Sequence, residues 1–290
     1  MEPSRARFAA TPTANPRAHC YSASVWTKEE LDRYARHIVL PGVGGAGQAR
    51  LKQSAVLVVG AGGLGSPALM YLAAAGVGRL GLVEMDRVDV SNLQRQVLFD
   101  TPSVGQGKAE VAKSRLQRLN PHIKVEAHAE RITSQNALAL LRPYDLILDC
   151  SDNFPTRYLL NDACVLLDKP LVYGAIHQFE GQLAVFHYQG GPCYRCLFPQ
   201  PPKPGAVPNC AEAGVFGVLP GVIGSLMAVE ALKVLLGLGQ VLSGQMLLYD
   251  GLQARFHRLS FSRRPNCAVC GEHPSVTTLQ DYELWCGISV

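Results

Sequence analysis

Ala55-Val56-Leu57-Val58-Val59-Gly60-Ala61-Gly62-Gly63-Leu64-Gly65-Ser66 is the stretch that decides the fold of this chain. Its apolar run reads as a buried strand, and the glycine pattern behind it places a tight turn between that strand and a helix. Ser66 to Ala75, rich in Ala and Leu, supplies the helix, and after Gly76 and Gly78 the run Leu80 to Glu84 supplies a second strand. Strand, glycine turn, helix and strand in about 30 residues form the βαβ unit of a dinucleotide-binding fold, with an acid about 20 residues after the turn. Gly60, Gly62, Gly63 and Gly65 bring backbone N–H groups and a helix N-terminus up to a phosphate, and Glu84 is placed to accept hydrogen bonds from ribose hydroxyls.

Downstream the alternation continues with a helix from about Lys108 to Leu119, a strand near Lys124 to Ala127, a helix near Ser134 to Leu141 and the strand Leu146 to Cys150. Alternation of this kind predicts an α/β architecture, a doubly wound Rossmann-like and mostly parallel sheet with helices on both faces. Asp152 and Asn153 follow the last of these strands and fall at the carboxyl edge, where ligands bind in such sheets. Beyond residue 170 the texture changes to strands, Leu183 to Tyr188 and Gln245 to Tyr249, separated by a long apolar helix near Ile223 to Leu236. Antiparallel strands are therefore expected to extend the sheet. Upstream, Thr27 and Glu30 have capping-box spacing ahead of Leu31, Tyr34, Ala35 and Ile38, which predicts a short amphipathic helix ending near Pro41. Its Arg33 and Arg36 project from nearly the same side.

The bulk numbers narrow the function. With 290 residues, 48% hydrophobic and 17% charged, the chain buries a substantial core. A net charge of +4 without a dense Lys/Arg run argues against direct nucleic-acid binding. The uncharged stretch Ala213 to Val229 is interrupted by Pro220 and several glycines and reads as a buried core helix, so no membrane is expected. Residues 1–26, with Arg5, Arg7, Arg17 and a single acid, Glu2, read as a disordered tail. Nine cysteines, four of them in Cys-x-x-Cys pairs, suit a reducing compartment, the cytosol.

Those pairs, Cys193/Cys196 and Cys267/Cys270, sit beside the turn-forming dipeptides Gly191-Pro192 and Pro265-Asn266. Two thiolate pairs close a tetrahedral Zn²⁺ site with no position left for water, so the metal is expected to staple distant segments rather than catalyse. A further cluster, Asp86, Asp89, Ser91, Asn92, Leu93, Gln94, Arg95 and Gln96, followed by Lys108, places polar and basic groups beyond a strand end, where they suit phosphate oxygens. The plain alternative is a solvated loop. A nicotinamide-dependent dehydrogenase would share the glycine turn but would not require this cluster or Asp152.

Arg33-Tyr34-Ala35-Arg36-His37, the glycine turn, Asp89 to Gln96, Cys150-Ser151-Asp152-Asn153, Phe179-Glu180-Gly181-Gln182 and Cys193-Tyr194-Arg195-Cys196 together resemble the adenylyltransferases that activate ubiquitin-like sulfur carriers. The resemblance spans residues 27–272, leaving 273–290 as a C-terminal tail. Tyr194 to Pro202 and Cys270 to Pro274, with Asp281-Tyr282-Glu283, are most like the eukaryotic members that serve molybdenum cofactor synthesis and transfer-RNA thiolation. Those continue into a rhodanese domain that this sequence does not contain, so the resemblance implies a separate sulfurtransferase acting in trans. It also implies ATP and Mg²⁺ as cofactors beside Zn²⁺, a ubiquitin-like sulfur-carrier protein as partner, and adenylylation of that carrier's C-terminal glycine. By the same likeness Arg95 and Lys108 bind phosphate, Asp152 holds Mg²⁺, Glu84 stands where the family usually has Asp, and Arg36 reaches the γ-phosphate from the other subunit of a homodimer. Cys210 matches the cysteine proposed to receive the activated carboxylate or take part in sulfur transfer. The competing reading on the same fold is a non-catalytic scaffold that only binds a carrier.

Overall fold

The computed structural model describes residues 26–202 and 214–282. Most of the expected tail and Cys210 lie outside the described residues. Helix α1 (Lys28–Ile38) opens with the expected capping box: the Glu30 N–H donates to Thr27 Oγ1 at 3.2 Å and the Thr27 N–H donates to Glu30 Oε2 at 3.0 Å. Trp26, assigned above to the tail, packs edge-on against Tyr34 with ring centroids 6.2 Å apart, and the Lys52 ammonium stands 4.9 Å from its ring. Helix α2 (Gly44–Gln53) was not legible in the sequence, because Gly44, Gly45 and Gly47 depress its intrinsic propensity. Burial of Gln48, Ala49 and Leu51 supplies the missing stability, and Gln48 Nε2 donates to the Ala75 carbonyl at 2.8 Å.

Eight strands form one sheet in the order β3-β2-β1-β4-β5-β6-β7-β8. They are β1 (Ala55–Val59), β2 (Arg79–Val83), β3 (Lys124–His128), β4 (Leu146–Asp149), β5 (Leu171–His177), β6 (Glu180–Phe186), β7 (Gln245–Asp250) and β8 (Arg255–Ser260). Pairing is parallel from β3 across to β5 and antiparallel from β5 to β8. The mostly parallel α/β sheet with antiparallel extension is thus the one expected. Along β1 the side chains alternate between two cores: Val56 and Val58 enter one, Ala55, Leu57 and Val59 the other. Helices α3 (Gly65–Ala75), α4 (Lys108–Leu119) and α8 (Leu219–Leu236) cover the first face; α5 (Ala137–Leu141) and α6 (Phe154–Leu166) cover the second.

Helix α8 is long and apolar enough by composition to cross a membrane. In the fold it lies across α3 and under β5 and β6, so closely that a Cβ on Gly224 would come within 2.3 Å of the Leu64 carbonyl oxygen. Its buried Glu230 is satisfied by Lys233 Nζ at 2.6 Å and by the Leu242 N–H at 2.9 Å.

The segment after Glu272, read above as a C-terminal tail, packs onto the domain as far as it is described, to Tyr282. The Asp281 carboxylate accepts from the Ser134 N–H and from its hydroxyl, each at 2.8 Å, and Tyr282 is only 3% exposed.

Candidate functional site

The strand order reverses between β1 and β4, and the crevice above their carboxyl ends is where this architecture binds ligands. A cavity of about 270 Å³ sits there, walled by the glycine turn, Glu84 and Asp86 after β2, Lys108 at the start of α4, and Asp152 with Asn153 after β4. The glycines divide the work. Gly60 has φ +93°, and a Cβ on it would stand 2.8 Å from the Cys150 carbonyl oxygen. On Gly65 a Cβ would come within 1.9 Å of the Gly60 carbonyl oxygen, so the helix can approach the strand only without a side chain. A Cβ on Gly62, in contrast, would meet only Gln96 Nε2 at 3.5 Å, which leaves room over that backbone for a ligand. The α3 N-terminus opens at this turn, so unpaired N–H groups and the helix dipole favour an anion.

Two of the predicted basic groups reach the cavity. Lys108 is 5% exposed, and its ammonium pairs at 3.2 Å with Asp86, whose side chain is 63% exposed and well solvated. Arg95 also lines the wall, and its Nη1 donates to the Ser91 carbonyl at 3.0 Å. Ser91, Asn92, Leu93 and Gln94, expected as ligand groups, do not line the cavity within this chain. They build the turn that aims Arg95: the Ser91 N–H and hydroxyl both donate to Asp89 Oδ1, Leu93 packs on the first core, and Gln94 fills the space beside Gly217. Glu84 lines the cavity but is also a backbone clamp, accepting from the Ala61 N–H at 3.1 Å and the Asp86 N–H at 2.9 Å. Each of its oxygens keeps a second lone pair for a ligand hydroxyl.

Asp152 is exposed at the wall, while Asn153, predicted as a ligand group, caps α6 by accepting from the Thr156 N–H at 2.9 Å. Under them lies a group that sequence reasoning missed. Asp149 is 0% exposed; its Oδ1 accepts from the Ser151 N–H and hydroxyl, and its Oδ2 is buried without a partner. Burial pushes the Asp149 carboxyl above its ordinary value, against the pull of Arg157 and Ser151. Arg157 donates to the Ser151 carbonyl at 3.4 Å, and its Nε is buried without a partner, as is Oε1 of Gln96. Gln96 and Arg157 both line the cavity, so two of these three unpaired atoms belong to side chains at its wall. The sequence signal for Arg157 was the Asn153 cap followed by Pro155, which starts a helix and points Arg157 back one turn later. Arg36 stands exposed on α1 and does not line the cavity of its own chain.

The second centre is the four-thiol cluster. Cys193, Cys196, Cys267 and Cys270 are all buried, with their sulfurs within 4.8 Å of one another. The closest pairs are 3.4, 3.5 and 4.0 Å apart, bracketing the edge of about 3.8 Å that a sulfur tetrahedron has around Zn²⁺ at Zn–S of about 2.3 Å. The Arg264 N–H donates to Cys196 Sγ at 3.4 Å, the outer contact that tunes such thiolates. Between the first two cysteines, on helix α7 (Tyr194–Leu197), Arg195 makes a two-pronged bond to buried Asp162 at 2.8 and 2.9 Å and a third to the Tyr282 hydroxyl at 2.7 Å. Removing one partner of such a buried pair costs about 3–5 kcal/mol, so the first knuckle is fixed on α6 independently of any metal. None of the four thiols lines the cavity.

Comparison with known proteins identifies the family. The model of the ThiF family matches residues 34–269. A sulfur carrier protein adenylyltransferase from Thermus thermophilus is 66% identical over 268 residues, covering 91% of this chain and 99% of that protein. The adenylyltransferase and sulfurtransferase MOCS3 of Sus scrofa is 54% identical over 264 residues; they make up 91% of this chain but 58% of MOCS3. Among solved structures, E. coli MccB shares the fold with a TM-score of 0.74 at 23% identity, covering 83% of this chain and 73% of that one. MccB with AMPCPP and MccA superposes with a TM-score of 0.68 at 25% identity, over 77% of this chain and 68% of that one.

Proposed function

Because the chain belongs to the ThiF family, we propose that it adenylylates the C-terminal glycine of a ubiquitin-like sulfur-carrier protein at the expense of ATP. The carrier's carboxylate oxygen attacks the α-phosphorus, the bond to the bridging oxygen breaks, and pyrophosphate leaves an acyl-adenylate behind. No proton need move, so the protein's task is to bring two anions together and hold them in line. The glycine turn and the α3 N-terminus suit the phosphates, Glu84 suits the ribose, and Lys108 with Arg95 offsets the charge of the approaching carboxylate. Asp152 is a solvated carboxylate at the wall, the hard oxygen ligand that Mg²⁺ on a triphosphate accepts, and bound Mg²⁺ would neutralise phosphate charge there. Zn²⁺ in the four-thiol cluster would add stability and take no part in the step.

The observation that carries this reading is the convergence of an open backbone at Gly62 with Lys108, Arg95 and Asp152 around one cavity at the strand reversal. Its test is ATP–pyrophosphate exchange with a carrier ending in Gly-Gly. Carrier-dependent exchange should fall by about 10²–10³ in Asp152→Ala. Absence of exchange with every carrier tried would leave the scaffold reading.

The finer assignments are part of the same proposal. A homodimer is the active unit, in which exposed Arg36 of one protomer completes the cavity of its partner. The products feed molybdenum cofactor synthesis, transfer-RNA thiolation or both, in the cytosol. Sulfur comes from a separate sulfurtransferase. In support, the described cysteines outside the metal cluster, Cys150 and Cys164, are buried, with thiols pushed up by desolvation and unsuited to nucleophilic work.

A further inference from the structure

Part of the cavity wall is formed by Glu130, Arg131 and Ile132, on the connection between β3 and α5. This connection belongs to no helix or strand, so something else must fix its place. Part of the answer is internal: Asn136 Nδ2 donates to Glu130 Oε2 and to the Arg131 carbonyl, each at 2.9 Å, and Asn136 Oδ1 accepts from the Thr133 N–H at 2.7 Å. The other part comes from far along the chain. Asp281 accepts two bonds from Ser134, at the centre of that turn, and the neighbouring Tyr282 is bonded to Asp162 at 2.5 Å and to Arg195 at 2.7 Å. Ile132 and Tyr282 lie in the same core cluster, with Leu279 packed against it. The segment starts directly from the second cysteine knuckle, where the Ser275 and Val276 N–H groups donate to the Ala268 carbonyl at 2.9 Å.

We propose that residues 271–282 act as a strap that sets the nucleotide-facing wall, with Asp281 as a positioning residue for the nucleotide site. The proposal rests on the reading of the cavity as a nucleotide site and extends it to a segment that touches no ligand. Asp281 holds the Thr133–Asn136 turn from outside; that turn holds Glu130 and Arg131, and those line the cavity. Tyr282, locked into the Arg195–Asp162 pair, anchors the strap so that Asp281 is presented at a fixed place.

The test uses the full chain and measures the Kd for ATP and for AMP by direct titration, beside the Kd for a carrier ending in Gly-Gly and the melting temperature. Asp281→Ala should weaken nucleotide binding about three- to tenfold, the effect of losing two hydrogen bonds that act through the backbone. Carrier affinity should stay within error. Asp281→Asn should recover most of the loss, since its Oδ1 can accept the Ser134 N–H while its Nδ2 donates to the hydroxyl. Ser134→Ala, which keeps the N–H bond, should fall between wild type and Asp281→Ala. Unchanged nucleotide Kd in Asp281→Ala would overturn the proposal. So would a loss of carrier affinity in parallel with nucleotide affinity, which would mark Asp281 as a general packing residue. If Asp281→Ala melts below the assay temperature, Ser134→Ala alone decides. Because binding is read directly, failure of pyrophosphate exchange in the wild type would refute the adenylylation reading without touching this one.

Discussion

Adding one methyl group at two points of the glycine turn should separate folding from nucleotide binding. In Gly65→Ala the new Cβ would lie 1.9 Å from the Gly60 carbonyl oxygen and 2.9 Å from its carbon, a clash between backbones that no rotamer relieves. Restoring even a 3.0 Å contact requires α3 and β1 to move apart by about 1 Å in a close-packed core, at a cost of about 3 kcal/mol or more. In Gly62→Ala the nearest atom is Gln96 Nε2 at 3.5 Å and the backbone is not left-handed, so the fold accommodates the methyl group. Reduced freedom of the unfolded chain should then leave stability unchanged or raised by about 0.4–1 kcal/mol. Bound phosphate, however, loses its close approach to the backbone. Forfeiting one charge-assisted bond of about 1.5–3 kcal/mol weakens ATP about ten- to hundredfold. Urea denaturation and direct ATP titration of the two variants measure both quantities. Equal ATP affinity in wild type and Gly62→Ala, with the melting curve intact, would refute the placement of phosphate over this turn. A stable Gly65→Ala protein would refute the packing argument.

Two further outcomes follow from the other centres. Metal analysis should find one Zn²⁺ per chain, and stripping it with a strong chelator should lower the melting temperature while exposing four additional reactive thiols; a chain that binds no zinc yet melts normally would remove the staple. Burial would raise the carboxyl of Glu126, but hydrogen bonds from Arg79, Lys124 and Tyr144 outweigh it and hold the pKa at about 2, below the ordinary 4.5. A depressed pKa contributes stability that is full above pH 4.5 and lost as pH falls towards about 2. Denaturation of wild type and Glu126→Gln across that window should therefore converge at the acid end, and a constant difference between them would contradict the assignment.

The sequence by itself determined the elements whose signals are local. The β1 run, the glycine turn, the Thr27 capping box and the two cysteine knuckles each depend on neighbours within a few residues, so their chemistry could be read in order along the chain. Strand-end positions also transferred: Glu84, Arg95, Lys108 and Asp152 come to one cavity because parallel strands put all their carboxyl ends on one edge. Tertiary structure decided what depends on distant partners. Helix α2 forms in spite of its glycines because Leu51 and Ala49 are buried. Strand β8, exposed along its whole length, has no buried face to leave an alternating trace, and it is held by its pairing to β7. The local partners of Ser91 and Gln94, Asp89 and the backbone beside Gly217, also became visible only in the fold. The burial of Asp149 and the partners of Asp281 and Tyr282 were decided in the same way. A carboxylate or a guanidinium carries no local mark of whether it will be buried, and only the long-range fold chooses the partners that make burial affordable.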